Sequence, residues 1–291
     1  MLTIITLITT FLSMENTIKS NKIRIGDISI SYLIKEAHTE SKTTILFLHG
    51  FPFNKESWRS QLLDLADDVC GIAVDVRGHG LTTSGHGFFS IDVFAKDLRV
   101  FIEKLQLEKV ILCGVSMGGY IALRAYELFP EKISGLILSD THHKADTNEG
   151  KQKRFDSIQA ILQHGRRPFA IGFASNVFSE QTIANHPELV EFIKNSIRKN
   201  TVHSICATLL ALASRTDTTD VLAKIVVPTL IVRGAADKIT PKDLMIDLHL
   251  GIAKSKYVEI NDCGHLPNLE NSSAFNALMN DFIQNEVKPI H

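Results

Sequence analysis

The sequence predicts an α/β fold in which a mostly parallel, eight-stranded sheet is flanked by helices and carries an inserted helical cap. Two observations predict it. Continuous apolar runs alternate with segments that repeat apolar residues every three or four positions, as expected for strands buried on both faces by the helices between them. Residues 141–224, in contrast, carry helical signals and no competing strand signal.

The composition is that of an ordinary globular protein with a large core, since 44% of the 291 residues are hydrophobic and 22% are charged. The formal net charge is −1, so we expect no nucleic-acid partner and no stable membrane association. The expected partner is a small-molecule substrate, and the chain is expected to be a monomer or a homodimer. Scattered cysteines without a Cys-x-x-Cys pair predict reduced thiols, no metal site and a cytoplasmic location; they are Cys70, Cys113, Cys206 and Cys263.

The N-terminal segment needs a separate interpretation. Residues 1–13 are apolar, but they lack the basic start and the small-residue cleavage site of a secretory signal, and they are too short to span a bilayer. Met14 opens a sequence typical of an ordinary start. We interpret residues 1–21 as an extension from an upstream start, while a divergent signal peptide, which would mean export, or a membrane anchor stays open.

The strands are predicted in chain order. The first two flank the turn signal Gly26-Asp27 and should form a hairpin. The next run, TTILFLHG, ends in glycine, as a strand buried on both faces would. The eight predicted strands are KIRIG (22–26), ISISYLI (28–34), TTILFLHG (43–50), CGIAVDV (70–76), KVILCG (109–114), SGLILSD (134–140), PTLIVRG (228–234) and KYVEIND (256–262).

Helices are predicted between these strands from their apolar spacing. They cover about 55–66, a segment after Ser90, 116–129 up to Pro130, a segment after Pro241, and 272–285. Residues 22–140 and 225–291 should therefore form the core, with residues 141–224 as a cap. The cap is expected over the carboxyl edge of the sheet, where open α/β sheets bind ligands.

A nucleophile motif, G-x-S-x-G, lies at residues 114–118 around Ser116. It follows a predicted strand and opens a predicted helix, which is the context that distinguishes a nucleophile elbow from a chance glycine-rich helix start. The tight turn requires small residues at Gly114 and Gly118. The helix N-terminus would favour an oxyanion beside the serine.

A serine hydroxyl needs a base, and the base needs an acid to orient it. Asp237 and His265 follow the seventh and eighth predicted strands, so they should lie at the same sheet edge as Ser116, in the chain order Ser, acid, His. Asp140 ends the sixth strand and is the alternative acid.

The oxyanion hole requires two backbone donors. The N–H of Met117 is expected to supply one and that of Phe51 the other, because Gly50 permits a close turn and Pro52 has no N–H. Aromatic residues of the cap, together with Trp58 of the core, could line an apolar pocket or simply pack. The basic residues His164, Arg166 and Arg167 could meet a substrate carboxylate or only face solvent. The candidate pocket residues are Trp58, Phe169, Phe173 and Phe178.

The motifs HGFP, DVRGHG, GVSMGG, GAADKITP and CGHLPNLE occur in this order, and with them the chain from about Lys22 onward resembles the α/β-hydrolase superfamily. HGFPFNKESW, the short cap and HHKADTNEG resemble the carboxylesterase and 3-oxoadipate enol-lactonase group. The resemblance implies hydrolysis of a small carboxylic ester or lactone without metal or organic cofactor. Superfamily members that dehalogenate or open epoxides carry Asp at the nucleophile position, and Ser116 argues against both activities.

The predicted function is thus that of a serine hydrolase with an acyl-enzyme intermediate. The same serine chemistry would also suit a C–C bond hydrolase, a perhydrolase or an acyltransferase. A protein that keeps the fold and binds a ligand without turnover is the alternative outside catalysis.

Overall fold

The computed structural model describes residues 18–38 and 43–288. Its eight strands form one sheet in the order β1-β2-β4-β3-β5-β6-β7-β8. The β1–β2 and β2–β4 pairs are antiparallel, and every other pair is parallel. The predicted fold class is confirmed. The strands are β1 Ile18–Ile25, β2 Ile28–Lys35, β3 Thr43–Leu48, β4 Val69–Val74, β5 Val110–Val115, β6 Ile133–Ser139, β7 Thr229–Gly234 and β8 Ser255–Ile260.

The predicted hairpin is formed by β1 and β2, with Ile25 opposite Ile28. However, β1 begins at Ile18 instead of Lys22, where we expected the core to begin. The extra residues pair with the far end of β2, where Ile18 faces Lys35. Most side chains of this edge strand are exposed, so it carries little of the apolar alternation by which a strand is predicted. The expectations for residues 1–17 lie outside the described residues.

Twelve α-helices accompany the sheet in the described part of the chain. Two 3-10 turns, Lys55–Trp58 and Pro130–Lys132, accompany them, and a π-turn at Ile283–Val287 continues the last helix. The helices are α1 Arg59–Asp64, α2 Ile91–Lys104, α3 Met117–Leu128, α4 Asn148–His164, α5 Arg166–Val177, α6 Glu180–Asn185, α7 Pro187–Lys199, α8 Val202–Ala213, α9 Thr219–Leu222, α10 Lys242–Gly251, α11 Pro267–Glu270 and α12 Ser272–Phe282.

The interval 141–224, expected to be a cap, contains helices α4 to α9 and no strand. It lies between β6 and β7, so it leaves the sheet at the carboxyl end of one strand and returns to the amino end of the next. Within the described parts of the chain, no helix combines the length and apolarity needed to cross a bilayer.

The core lies on both faces of the central strands. Every residue of β5 is buried, and Ile45, Leu46 and Phe47 of β3 are fully buried. Such burial is expected for a parallel sheet covered by helices. All four cysteines have free thiols, with Cys113 and Cys263 buried in this core.

Candidate active site

The serine turn joins β5 to α3. Ser116 has φ 54° and ψ −115°, a strained conformation for a residue with a side chain. A Cβ at Gly114 would lie 2.3 Å from the backbone of Gly118, and a Cβ at Gly118 would lie 2.1 Å from the carbonyl oxygen of Leu48. Both contacts are too close for any side chain. The tight packing of backbone on backbone therefore explains both glycines of the motif.

Hydrogen bonds connect the backbone of Ser116 to the end of the neighbouring strand, β6. Its N–H donates to the carbonyl of Ser139 at 2.9 Å, and its own carbonyl accepts from Oγ1 of Thr141 at 2.9 Å. Its side chain is partly exposed. The N–H of Met117 begins α3 and has no hydrogen-bond partner among the described residues, as is usual in a first helical turn. The turn thus presents a reachable hydroxyl beside a free backbone donor.

An imidazole and a carboxylate meet at the ends of β8 and β7. Nδ1 of His265 donates to Oδ2 of Asp237 at 2.9 Å, and the residues are only 2% and 7% exposed. The N–H groups of Ile239 and Thr240 also donate to this carboxylate, at 2.8 and 3.2 Å. Burial opposes ionisation of Asp237, but the imidazole and the Ile239 N–H outweigh it and lower the pKa of Asp237. The group is therefore an ionised acceptor that holds the imidazole with Nε2 free.

The loop that carries Asp237 is supported by Arg233, a residue that sequence analysis missed. Its guanidinium donates to the carbonyls of Ala235 and Asp237 at 3.1 and 3.0 Å, and the residue is buried. The available signal was one charge in the apolar run TLIVRG. On the cap side, the N–H of His265 donates to the carbonyl of Val177 at 2.7 Å.

Asp140, the alternative acid, is fully buried beside the same pair and has a positive φ of 45°. Its Oδ1 accepts the N–H of Gly234 at 2.9 Å, and its Oδ2 accepts the hydroxyl of Ser139 at 2.7 Å. Burial and then the charge of Asp237 raise the pKa of Asp140 well above its usual value. Burial and the neighbouring charge therefore favour the protonated form of Asp140, while Asp237 makes the hydrogen bond to His265.

The same three residues also have the chemistry of metal ligands. Ligand atoms of Asp140, Asp237 and His265 lie within 4.8 Å of one another, the one group of this kind in the described residues. The imidazole of His265 and the carboxylate of Asp237 are already joined by a hydrogen bond between Nδ1 and Oδ2. The arrangement supports an acid–base pair more directly than a metal centre.

The second expected donor lies in the oxyanion loop, residues 49–55. The carbonyl of Gly50 accepts the N–H of Phe53 and Nδ1–H of His49, both at 2.9 Å. Because a peptide unit is planar and trans, the Phe51 N–H points opposite to the Gly50 carbonyl, and it has no partner among the residues described. A Cβ at Gly50 would lie 3.4 Å from Cβ of Ser116. The loop therefore passes directly beside the serine.

The sheet brings these pieces to one edge. Strands β5, β6, β7 and β8 are successive neighbours, and Ser116, Asp140, Asp237 and His265 follow them in that order. Within the described residues no hydrogen bond joins Oγ of Ser116 to the imidazole. Such bonds are often long in unliganded enzymes and tighten when substrate binds. Serine, acid and base nevertheless follow the first, third and fourth of these strands at the same edge of the sheet.

The candidate pocket residues fall into two groups. The rings of Phe169 and Phe173 lie 6.2 and 6.1 Å from that of Phe51 and are only partly buried. Trp58 is fully buried, 5.0 Å from Phe47 and 6.0 Å from Phe275, and so packs in the core.

Phe178 is also buried, and its backbone packs against Gly264, next to His265. Among the cations of the cap, His164 and Arg167 are exposed and Arg166 is half-buried. Of the four aromatic candidates, Phe169 and Phe173 of α5 are thus the two whose rings lie beside that of Phe51.

Comparison with known proteins agrees with this architecture. The family model described as the alpha/beta hydrolase fold matches residues 43–272. The chain is 27% identical to 3-oxoadipate enol-lactonase 2 of Acinetobacter baylyi, over 81% of this chain and 86% of the relative. It is 32% identical to the AB hydrolase superfamily protein YisY of Bacillus subtilis, over 82% of this chain and 90% of the relative.

Among solved structures, a thermophilic esterase from Thermogutta terrifontis with malate bound superimposes with a TM-score of 0.85 at 29% identity, covering 92% of this chain and 99% of that one. The resemblance to esterases and enol-lactonases is confirmed. With most of its length matched by the family model, the chain belongs to the α/β-hydrolase fold family.

Proposed function

We propose that this protein is a serine hydrolase that cleaves a small carboxylic ester or lactone through an acyl-enzyme. The observation that carries the proposal is the buried hydrogen bond between His265 and Asp237 at the ends of β8 and β7, on the same edge of the sheet as the Ser116 turn. A buried carboxylate that holds Nδ1 leaves Nε2 to act as the base. The similarity to an enol-lactonase and an esterase supports the same bond class.

The reaction proceeds in two halves. Nε2 of His265 takes the proton of Ser116 as Oγ attacks the carbonyl carbon, and Asp237 stabilises the imidazolium that forms. The negative charge on the carbonyl oxygen is bound by the N–H groups of Met117 and Phe51, which have no other partner among the described residues. The tetrahedral intermediate collapses as His265 protonates the leaving alkoxide. In a lactone the alcohol stays attached to the acyl group.

Water completes the cycle. His265 removes a proton from water as the water attacks the acyl-enzyme. The second tetrahedral intermediate then collapses and releases the acid, while the imidazolium of His265 returns the proton to Oγ of Ser116. The half-buried rings of Phe169 and Phe173 beside Phe51 make an apolar wall for the substrate chain.

The test compares Ser116→Ala with Ser273→Ala, which changes an exposed serine on α12. Both are assayed on p-nitrophenyl esters and simple lactones and exposed to a fluorophosphonate probe. We expect Ser116→Ala to lose hydrolysis and labelling while Ser273→Ala keeps both. Hydrolysis by Ser116→Ala at the wild-type rate would exclude Ser116 as the nucleophile. A wild-type protein that shows neither labelling nor turnover would instead indicate a binding protein.

A further inference from the structure

The oxyanion loop is held by the core at both of its ends. Nε2 of His49 accepts the N–H of Val76 at 3.0 Å. At the other end, Lys55 is buried and both its N–H and its ammonium donate to the carboxylate of Asp75, at 2.8 and 2.6 Å. Among the described residues, no hydrogen bond from the core strands reaches the middle of the loop, Phe51 to Asn54.

The cap supplies the missing anchors, both from the end of α7. Nδ2 of Asn200, the residue that ends this helix, donates to the carbonyl of Pro52 at 2.7 Å. One helical turn earlier, Oγ of Ser196 accepts Nδ2–H of Asn54 at 2.8 Å. All four residues are buried, so the contacts are shielded from water.

Asn200 also contacts a second loop of the core. Its Oδ1 accepts the N–H of Gly80 at 3.1 Å. Gly80 lies against Asp75, where a Cβ would overlap the carboxylate at 2.4 Å. Asn200 is only 3% exposed. Its amide NH₂ and its amide oxygen therefore join the cap to two different core loops, both of which contact Asp75.

We propose that Asn200 is a positioning residue of the reaction, through which the cap sets the orientation of the Phe51 N–H. The proposal rests on the proposed function. The carbonyl of Pro52 is one residue from that donor, and Pro52 has no N–H that could anchor the turn instead. Displacements of about 1 Å in a catalytic group can cost about a hundredfold in rate, so a loop released from the cap loses oxyanion stabilisation and keeps substrate binding.

The experiment compares Asn200→Ala and Asn200→Asp with Asn195→Ala, a matched control on the exposed face of α7. Asp at 200 can still accept from Gly80 but cannot donate to Pro52. The measurements are kcat and KM on p-nitrophenyl acetate, normalised to active sites titrated with a fluorophosphonate, and Ki for a trifluoromethyl ketone that forms a tetrahedral adduct with Ser116. We expect both Asn200 variants to lose about tenfold or more in kcat, with KM within threefold, Ki raised by a similar factor, and Asn195→Ala unchanged.

The proposal is overturned if the Asn200 variants keep kcat and Ki within twofold of wild type, or if only KM rises. If they do not fold, Ser196→Ala releases Asn54 instead. Its kcat should fall at least threefold while its KM stays within threefold of wild type. Wild-type values of both constants for this variant would overturn the proposal. Absence of serine-dependent hydrolysis in the wild type would overturn the proposed function as well, whereas an active wild type with unaffected variants overturns this inference alone.

Discussion

Two buried aspartates beside one histidine allow a sharp test of which carboxylate serves as the acid. We expect Asp237→Asn to lower kcat about 10³–10⁴-fold and Asp140→Asn to leave it within about threefold. Three donors converge on Asp237, from Ile239, Thr240 and His265. An asparagine has a single acceptor oxygen, so its NH₂ group must face one of them.

The magnitude follows from the charge as well as the hydrogen bonds. During the reaction the imidazole of His265 becomes a cation in contact with Asp237. Two unit charges about 4 Å apart in a medium with an effective dielectric constant of about 20 attract by about 4 kcal/mol, which corresponds to about a thousandfold in rate. An amide at 237 loses this term and leaves a donor facing a donor, which adds to the loss.

Asp140 differs because burial and the charge of Asp237 raise its pKa and so favour its protonated form. An amide oxygen can accept the N–H of Gly234, and its NH₂ can donate to the hydroxyl of Ser139. The assay is steady-state hydrolysis of one ester from pH 5 to pH 9, with circular dichroism as the folding control. A large kcat loss in Asp140→Asn together with a near-normal Asp237→Asn would refute this assignment.

Three further outcomes are expected. Because the folded-state pKa of Asp140 is raised, the contribution of Asp140 to the free energy of unfolding should fall by up to about 1.4 kcal/mol per pH unit as the pH rises above its unfolded-state pKa. Urea unfolding at pH 4.5, 5.5 and 6.5 should therefore show Asp140→Asn gaining stability relative to wild type, and a constant difference between the two proteins would contradict this. Lys55→Met leaves the buried carboxylate of Asp75 without its charged partner and should lower the free energy of unfolding by about 3–5 kcal/mol. Lys19→Met, in an exposed ion pair, should cost under about 1 kcal/mol, and equal losses in urea melts would argue against the difference. Phe173→Ala should lower kcat/KM for hexanoate esters about tenfold more than for acetate esters, and equal effects would remove this residue from the pocket.

Sequence analysis succeeded where the signal is local. The Ser116 turn is determined by five consecutive residues between a strand and a helix, since only glycine fits where Gly118 meets the carbonyl of Leu48. Apolar runs were sufficient for the parallel strands. The start of β1 was missed, because its first residues are held by pairing with β2 and face solvent.

Asp237 and Asp140 both follow strands that reach the active edge, so the sequence by itself left the acid open. Tertiary structure separates them by their partners and by the direction of their pKa shifts. The Asp237 carboxylate accepts three donors and its pKa is lowered, whereas Asp140 is buried beside that charge and its pKa is raised. Asn200 is the extreme case, because its contacts with Pro52 and Gly80 join residues 148 and 120 positions apart. The chain alone determines local backbone shape and the burial pattern, whereas contacts between distant side chains exist only once the cap has packed on the sheet.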